Sequence, residues 1–327
     1  MIKRIKFENF RSFVKAEAEL QPFTLVIGTN GAGKSNLLKW FRLLSTRKKG
    51  NFRTGNVMTP RFLFQQEDWV RHIEHLNLPM RFLIELSDGT SVIGDEKGIE
   101  GDIDLPWPET ILPLFNLDPA TISSQEKIIG RPAIDSSGKG TTQVLDALKS
   151  GDREDLFDRI ELNLRRYVPE VEKLSLKSGD NQKVIQIRER GLENPLPASE
   201  LSEGTRLILC ILTIIHQEAP PPVILLEDID RGMHPRLFDQ IAPLMRQIAE
   251  EHNINIIATT HNPYLVDAFQ DAKECVLLVE KVDGASILVP LTDRLKEMDY
   301  DEVESDMPLG QLWYSGLIGA VPQRQSN

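Results

Sequence analysis

Eight residues carry the strongest chemical signal in this sequence: Gly28-Thr-Asn-Gly-Ala-Gly-Lys-Ser35. They fit G-x-x-x-x-G-K-[ST] and lie between a buried apolar run and an amphipathic stretch, the context this motif needs. Glycines in such a loop let backbone N–H groups wrap a polyphosphate, and the following helix turns the positive end of its dipole to the same anion. Lys34 would then reach the β- and γ-phosphates, and Ser35 would ligate Mg²⁺. Val223-Ile-Leu-Leu-Glu-Asp228 reads as a buried strand ending in two carboxylates. There Glu227 can hold the metal shell and Asp228 can polarise an attacking water. Upstream, Leu201-Ser-Glu-Gly-Thr-Arg206 opens a helix with a hydroxyl and a glycine, a second anion-binding helix N-terminus. Downstream, an apolar strand runs into Thr260-His261-Asn262-Pro263. Taken alone, His261 is an ordinary loop histidine and Ser202 a plain helix cap.

Those residues must be positioned by the elements around them. The first 45 residues read as three strands, a loop and a helix, the buried strand being Phe23 to Ile27 and the helix carrying Leu37, Leu38, Phe41 and Leu44. From about 46 to 197 the signals weaken. Hairpins are expected at Arg81 to Ile93, turning at Asp88-Gly89, and at Leu174 to Ile187, turning near Gly179-Asp180. Prolines 106, 108, 113, 119 and 132 punctuate the stretch between them, and a helix is expected from Asp152 to Tyr167. From 198 onward the periodicity returns. It predicts a nearly all-apolar helix from Arg206 to His216, the strand Val223 to Leu226, and an amphipathic helix kinked at Pro243. Next come the strand Ile254 to Thr259, a short helix near Tyr264 to Phe269, and strands at Cys275 to Glu280 and Ser286 to Leu291. This alternation predicts an α/β fold with a mainly parallel sheet and antiparallel pieces at its N-terminal edge. The expected organisation is 1–45 and 198–327 as two parts of one head, with 46–197 as an inserted α+β region.

Composition narrows the class. In 327 residues, 40% are hydrophobic and 27% charged, as in a globular protein. The N-terminus lacks the apolar run of a signal peptide and no stretch is long enough to span a membrane, while Cys210 and Cys275 sit in apolar runs like buried thiols. A cytoplasmic location is expected. The net charge of −11 argues against a uniformly basic nucleic-acid binder, yet residues 1–81 hold 15 Lys/Arg against 6 Asp/Glu.

In their order along the chain, Asn9-Phe-Arg-Ser12, the phosphate loop with Asn30 and Asn36, LSEGTR, VILLEDID, Gly232-Met-His-Pro235 and TTHNP resemble an ABC-type ATPase of the SMC/RecF-like group. The resemblance is closer to the small bacterial AAA ATPases that share this head with OLD-family proteins, and the tail Leu309-Gly-Gln-Leu-Trp-Tyr-Ser-Gly316 extends it. It implies a P-loop head that closes as a homodimer, or a higher oligomer, around ATP and Mg²⁺. Asn30, Gly31, Ala32, Gly33, Lys34, Ser35 and Asn36 would bind nucleotide, with Arg11 touching it in cis. Ser202 and Gly204 would act in trans on the partner's γ-phosphate, Asp230 would communicate across the dimer, and His261 would sense the γ-phosphate. The group's strand-end pair is usually Asp then Glu, whereas here it is Glu227 then Asp228. A base one methylene shorter predicts slow hydrolysis, since errors of about 1 Å can cost roughly 100-fold. The glutamine that usually senses Mg²⁺ is not placed by the sequence; Gln65, Gln66, Gln125 and Gln143 all qualify.

The leading expectation is an ATP-driven dimerisation switch, a weak ATP hydrolase, that controls a separate effector such as a nuclease in genome maintenance or phage defence. DNA contact would fall to Arg47, Lys48, Lys49, Arg53 and Arg61. The alternative is a nucleotide-stabilised scaffold that restrains its partner with little hydrolysis. A membrane-transporter subunit shares the motifs but not the NFRS phrase or the large insertion. Leu277-Leu-Val-Glu280 looks like the opening of a TOPRIM metal domain, but Lys281 follows where glycine is expected, so Glu280 reads as an ordinary strand-end residue.

Overall fold

The computed structural model describes residues 1–45, 80–95, 99–100, 114–124, 126–127, 132–179, 182–218, 220–231, 233–298 and 307–320. In chain order the first strands are β1 (Ile2–Phe10), β2 (Phe13–Glu19), β3 (Phe23–Gly28), β4 (Arg81–Leu86), β5 (Ser91–Asp95) and β6 (Ile99–Glu100). Then follow β7 (Leu114–Phe115), β8 (Glu126–Lys127), β9 (Val171–Gly179), β10 (Gln182–Glu189) and β11 (Leu196–Pro197). The last are β12 (Val223–Leu226), β13 (Asn255–Thr259), β14 (Val276–Val282) and β15 (Ala285–Pro290). The chain divides into two compact units: Met1–Leu112, Pro222–Leu225 and Ala249–Asn327 form the first, and Pro113–Pro221 with Leu226–Ile248 the second.

The first unit contains two sheets. One is antiparallel, in the order β2-β1-β4-β5-β6. Its register sets Ile5 between Ala18 and Ile84, and Phe7 between Ala16 and Phe82. The period-2 alternation therefore collects these apolar side chains on one face, where all are buried. The helix Lys34–Ser45 covers that face. Trp40 stacks on Phe7 with ring centroids 4.5 Å apart, and Phe41 meets Trp40 edge-on at 5.0 Å. Each such aromatic contributes about 1.5–3 kcal/mol by leaving water. The opposite face is charged, with Arg4 and Lys6 paired to Glu17 and Arg4 also to Glu85. Exposed pairs of this kind fix register more than they stabilise.

The second sheet of this unit runs β15-β14-β3-β13-β12. Strand β3 lies parallel to both β13 and β14, and every one of its six residues is buried. A strand covered on both faces reads as a continuous apolar run, not an alternating one. The hairpin β14–β15 turns at Asp283-Gly284, both left-handed, at φ 50° and 83°. Asn255 joins the two sheets: its Oδ1 accepts the Ile2 N–H at 2.7 Å and its Nδ2 donates to the Ile2 carbonyl at 3.0 Å. The antiparallel N-terminal pieces expected beside the mainly parallel sheet are thus present, as a subsheet of their own.

The second unit packs the helices Thr141–Ser150, Glu154–Tyr167 and Glu203–His216 beside the hairpin β9–β10. The helix Glu203–His216 is buried almost all round, which is why its sequence shows little polar face. It begins at Glu203, three residues before the expected Arg206, because Ser202 caps it. Pro119 begins the short helix Pro119–Ile122 behind an Asp118 cap, so this proline starts an element where punctuation was expected. Strand β12 passes the chain between units at Leu225–Leu226. Pro243 lies inside the helix Phe238–Glu251. No helix among the described residues is long and apolar enough to cross a membrane.

Candidate functional site

The phosphate loop follows β3 directly, and its glycines answer three different demands. A Cβ on Gly28 would lie 2.3 Å from the Val279 carbonyl oxygen of the adjacent strand, so only glycine lets β14 run that close. Gly33, at φ 124°, has the Ser286 hydroxyl 2.6 Å from where its Cβ would be. Gly31, at φ 79°, faces open space, and with Asn30 it forms the exposed rim of the loop. The Ala32 N–H closes the turn onto the Thr29 carbonyl at 3.2 Å. Lys34 is 6% exposed, and its ammonium donates to the carbonyls of Gly28 at 2.6 Å and Thr29 at 3.0 Å. A buried cation held on the rim of a glycine loop, at the start of a twelve-residue helix, fits a polyphosphate with its divalent metal.

The turn between β1 and β2 is latched to the same helix. Arg11, at φ 51°, donates from Nη1 to Asn36 Oδ1 at 3.2 Å, and Asn36 Nδ2 donates to the Ser12 hydroxyl at 2.9 Å. Ser286 adds a clamp from β15: its hydroxyl donates to the Ala32 carbonyl and its N–H to the Ser12 carbonyl. On the other side of β3, the register pairs Thr259 with Val26, and the Thr260 N–H reaches the Val26 carbonyl at 3.3 Å. His261 therefore emerges, exposed, beside the strand that feeds the phosphate loop. Asn262 caps the helix Pro263–Asp267 through the Tyr264 N–H at 3.1 Å. Arg11, the loop residues, Asn36 and His261 thus belong to one unit.

The other expected residues fall in the second unit. Ser202 Oγ accepts the Thr205 N–H at 3.1 Å and pairs with the Thr205 hydroxyl at 2.8 Å, and Gly204 is buried in the same first turn. Glu227 and Asp228 are half-buried at the end of β12. The Glu227 N–H donates to the Phe115 carbonyl at 2.8 Å. Asp228 adopts φ 50°, uncommon for a residue with a side chain, and its carbonyl accepts the Arg231 N–H at 3.0 Å. Asp230 closes the next turn by accepting the Met233 N–H at 3.1 Å. Gly232, the basic residues Arg47, Lys48, Lys49, Arg53 and Arg61, and Gln65, Gln66 and Gln125 lie outside the described residues; Gln143 lies in the helix Thr141–Ser150.

Ser12 as a brace and Ser286 were not legible as residues of the site. Ser286 reaches Ala32 from 254 positions away, and no local pattern signals such a contact. Glu280 accepts the Ala320 N–H at 2.8 Å and pairs with Arg294, a structural tie for the segment after the last sheet strand.

Two family models match this sequence. "AAA ATPase domain" matches residues 1–149, and "AAA domain, putative AbiEii toxin, Type IV TA system" matches residues 120–267. Solved structures with a similar fold include heads of SMC proteins. The fold is that of an SMC head domain. One such head, bound to the C-winged helix domain of ScpA, is 15% identical at a TM-score of 0.52, covering 88% of this chain and 97% of its own. The SMC head domain from Thermotoga maritima is 15% identical at a TM-score of 0.50, over 88% and 98%. An SMC head with an extended coiled coil from Pyrococcus furiosus, bound to the C-terminal domain of ScpA, is 14% identical at 0.52, over 93% and 99%. No curated protein matches the sequence.

Proposed function

We propose that this head binds ATP with Mg²⁺, closes as a homodimer around it, and reopens on slow hydrolysis, passing its state to a separate effector. The observation that supports it most is the phosphate loop, with Lys34 buried over its carbonyls and Arg11 latched to Asn36. In this reading Lys34 would exchange the Gly28 and Thr29 carbonyls for β- and γ-phosphate oxygens. Asn30, Gly31, Ala32, Gly33, Ser35 and Asn36 line the polyphosphate, with Arg11 beside it. Ser35 and Glu227 are the residues that would hold the metal, which would supply charge neutralisation on the phosphates. Asp228 orients the attacking water, His261 senses the γ-phosphate, and Ser202 with Gly204 contact the γ-phosphate of the second copy.

The Glu227-Asp228 order places the base on the shorter side chain, so turnover is expected below about 1 per second, under the usual enzyme median. The AbiEii and Type IV TA description of one matching family supports an effector role in defence, and the ScpA-bound SMC heads support docking of a partner protein. DNA is a further candidate ligand. The test is light scattering of wild type and Asp228→Asn with and without ATP-Mg²⁺, with phosphate release on the same samples. ATP should double the mass, Asp228→Asn should retain the dimer, and only wild type should release phosphate. Mass and turnover indifferent to both ATP and the substitution would overturn the switch and leave a structural nucleotide site, as in a scaffold.

A further inference from the structure

Within the second unit, a short segment touches both the helix Glu203–His216, termed the signature helix because the LSEGTR motif opens it, and the turn that carries the carboxylates. It begins at β7, where the Phe115 carbonyl accepts the Glu227 N–H at 2.8 Å. One residue on, Asn116 Oδ1 accepts from Arg231 Nη1 at 3.3 Å, and Arg231 is itself turned back onto the Asp228 carbonyl. Asp118 then caps the helix Pro119–Ile122, accepting the Ala120 N–H at 3.0 Å and the Thr121 hydroxyl at 2.9 Å. At the far end Arg206, on the first turn of the signature helix, donates from Nη1 to the Pro119 carbonyl at 3.0 Å and the Ser123 hydroxyl at 3.1 Å.

This segment has little slack. The Asn116 and Asp118 N–H groups donate to the carbonyls of Ser136 and Ser137 at 2.8 and 2.9 Å. Gly138, at φ 91°, is pressed between Ile122 and Cys210, where a Cβ would come within 2.6 Å of the former and 3.1 Å of the latter. A segment held on three sides transmits a displacement, because close-packed groups cannot absorb it by compression. Thr121 and Ala120 hold the Asp118 carboxyl below the usual range, and the Arg231 and Arg206 guanidiniums add a smaller pull. The two cations that reach the segment therefore come one from each motif.

We infer that residues Asn116 to Ser123 form a strap that couples the signature helix to the Glu227-Asp228 turn, with Arg206 and Arg231 as positioning residues at its two ends. The inference rests on the switch reading for its consequence: a ligand pulling on Ser202 shifts Arg206, and the strap carries that shift through Phe115 to Glu227. Neither arginine need touch nucleotide for this.

Two experiments test it, one with and one without turnover. Steady-state kinetics on Arg206→Gln, Arg231→Gln and the double variant should give kcat down about tenfold with KM for ATP within about twofold, which separates lost transition-state alignment from lost binding. The double variant should be no worse than the weaker single, since both cut one path. Arg206→Lys, which keeps one charged donor, should recover part of the rate. Independent effects that multiply, or a rise in KM matching the fall in kcat, would overturn the strap.

Hydrogen exchange of the nucleotide-free protein is the second experiment. In Arg206→Gln, amides at 226–231 should exchange several-fold faster while the helix 34–45 is unchanged. No change at 226–231 would also overturn it. If Arg206→Gln fails to fold, Ser123→Ala removes one acceptor and carries both measurements. Wild type that neither binds nor turns over ATP would sink the switch reading alone, and the exchange result would still decide the strap.

Discussion

The left-handed backbone at Asp228 decides which substitution can report on chemistry. Asparagine tolerates that region better than alanine does, so Asp228→Asn should lose hydrolysis at nearly unchanged stability. Asp228→Ala should add a backbone penalty of about 1 kcal/mol, seen as a lower denaturant midpoint. The phosphate-loop glycines divide in the same way. Gly28→Ala drives a Cβ into the Val279 carbonyl and should destabilise by more than 2 kcal/mol, beyond the ~1–2 kcal/mol of strain expected at Gly31→Ala, which opens onto free space. Thermal melts of the two variants side by side check this ordering. Lys34→Ala removes the buried ammonium and should weaken ATP binding roughly 10- to 100-fold, the range of a charge-assisted hydrogen bond, as measured with a fluorescent nucleotide.

Packing energy at the level of elements concentrates where the helix Lys34–Ser45 meets the antiparallel sheet. Trp40→Ala should cost about 3–5 kcal/mol, whereas Trp40→Phe should be far milder, because Trp40 Nε1 is buried without a hydrogen-bond partner among the described residues. Chemical denaturation of both variants tests this. The Asp118 cap has a pH signature. A carboxyl held below its unfolded value of about 3.9 stabilises above that pH, and the stabilisation is lost as pH falls through the lower folded value. The stability gap between wild type and Asp118→Ala should therefore be flat from about pH 5 to 8 and close below about pH 4.

Elements with one strong period were legible in the sequence. The strand Phe23 to Ile27, the hairpin at Asp88-Gly89, the helix ending at Tyr167 and the strand Val223 to Leu226 all match because burial and turn chemistry agree locally. What escaped was pairing between distant segments. Nothing near β1 says that it pairs with β4 across more than seventy residues, and Ser12 and Ser286 meet only through such contacts.

On the scale of the whole molecule, the motifs are shared between two compact units, with the phosphate loop and His261 in one and Ser202, Gly204, Glu227 and Asp228 in the other. A switch made this way should show its state in mass and in slow phosphate release, as proposed above. The Asn255 side chain, which grips both backbone groups of Ile2, has a consequence for biogenesis. A ribosome delivers Ile2 a full 253 residues ahead of Asn255. The Ile2 backbone groups, and the fully buried β3 with them, must therefore wait for β13 and β14, which are still untranslated, and contacts of such long sequence separation fold slowly. Nascent chains stalled before residue 255 should bind chaperones and leave the N-terminal strands open to protease, and those stalled well beyond it should not.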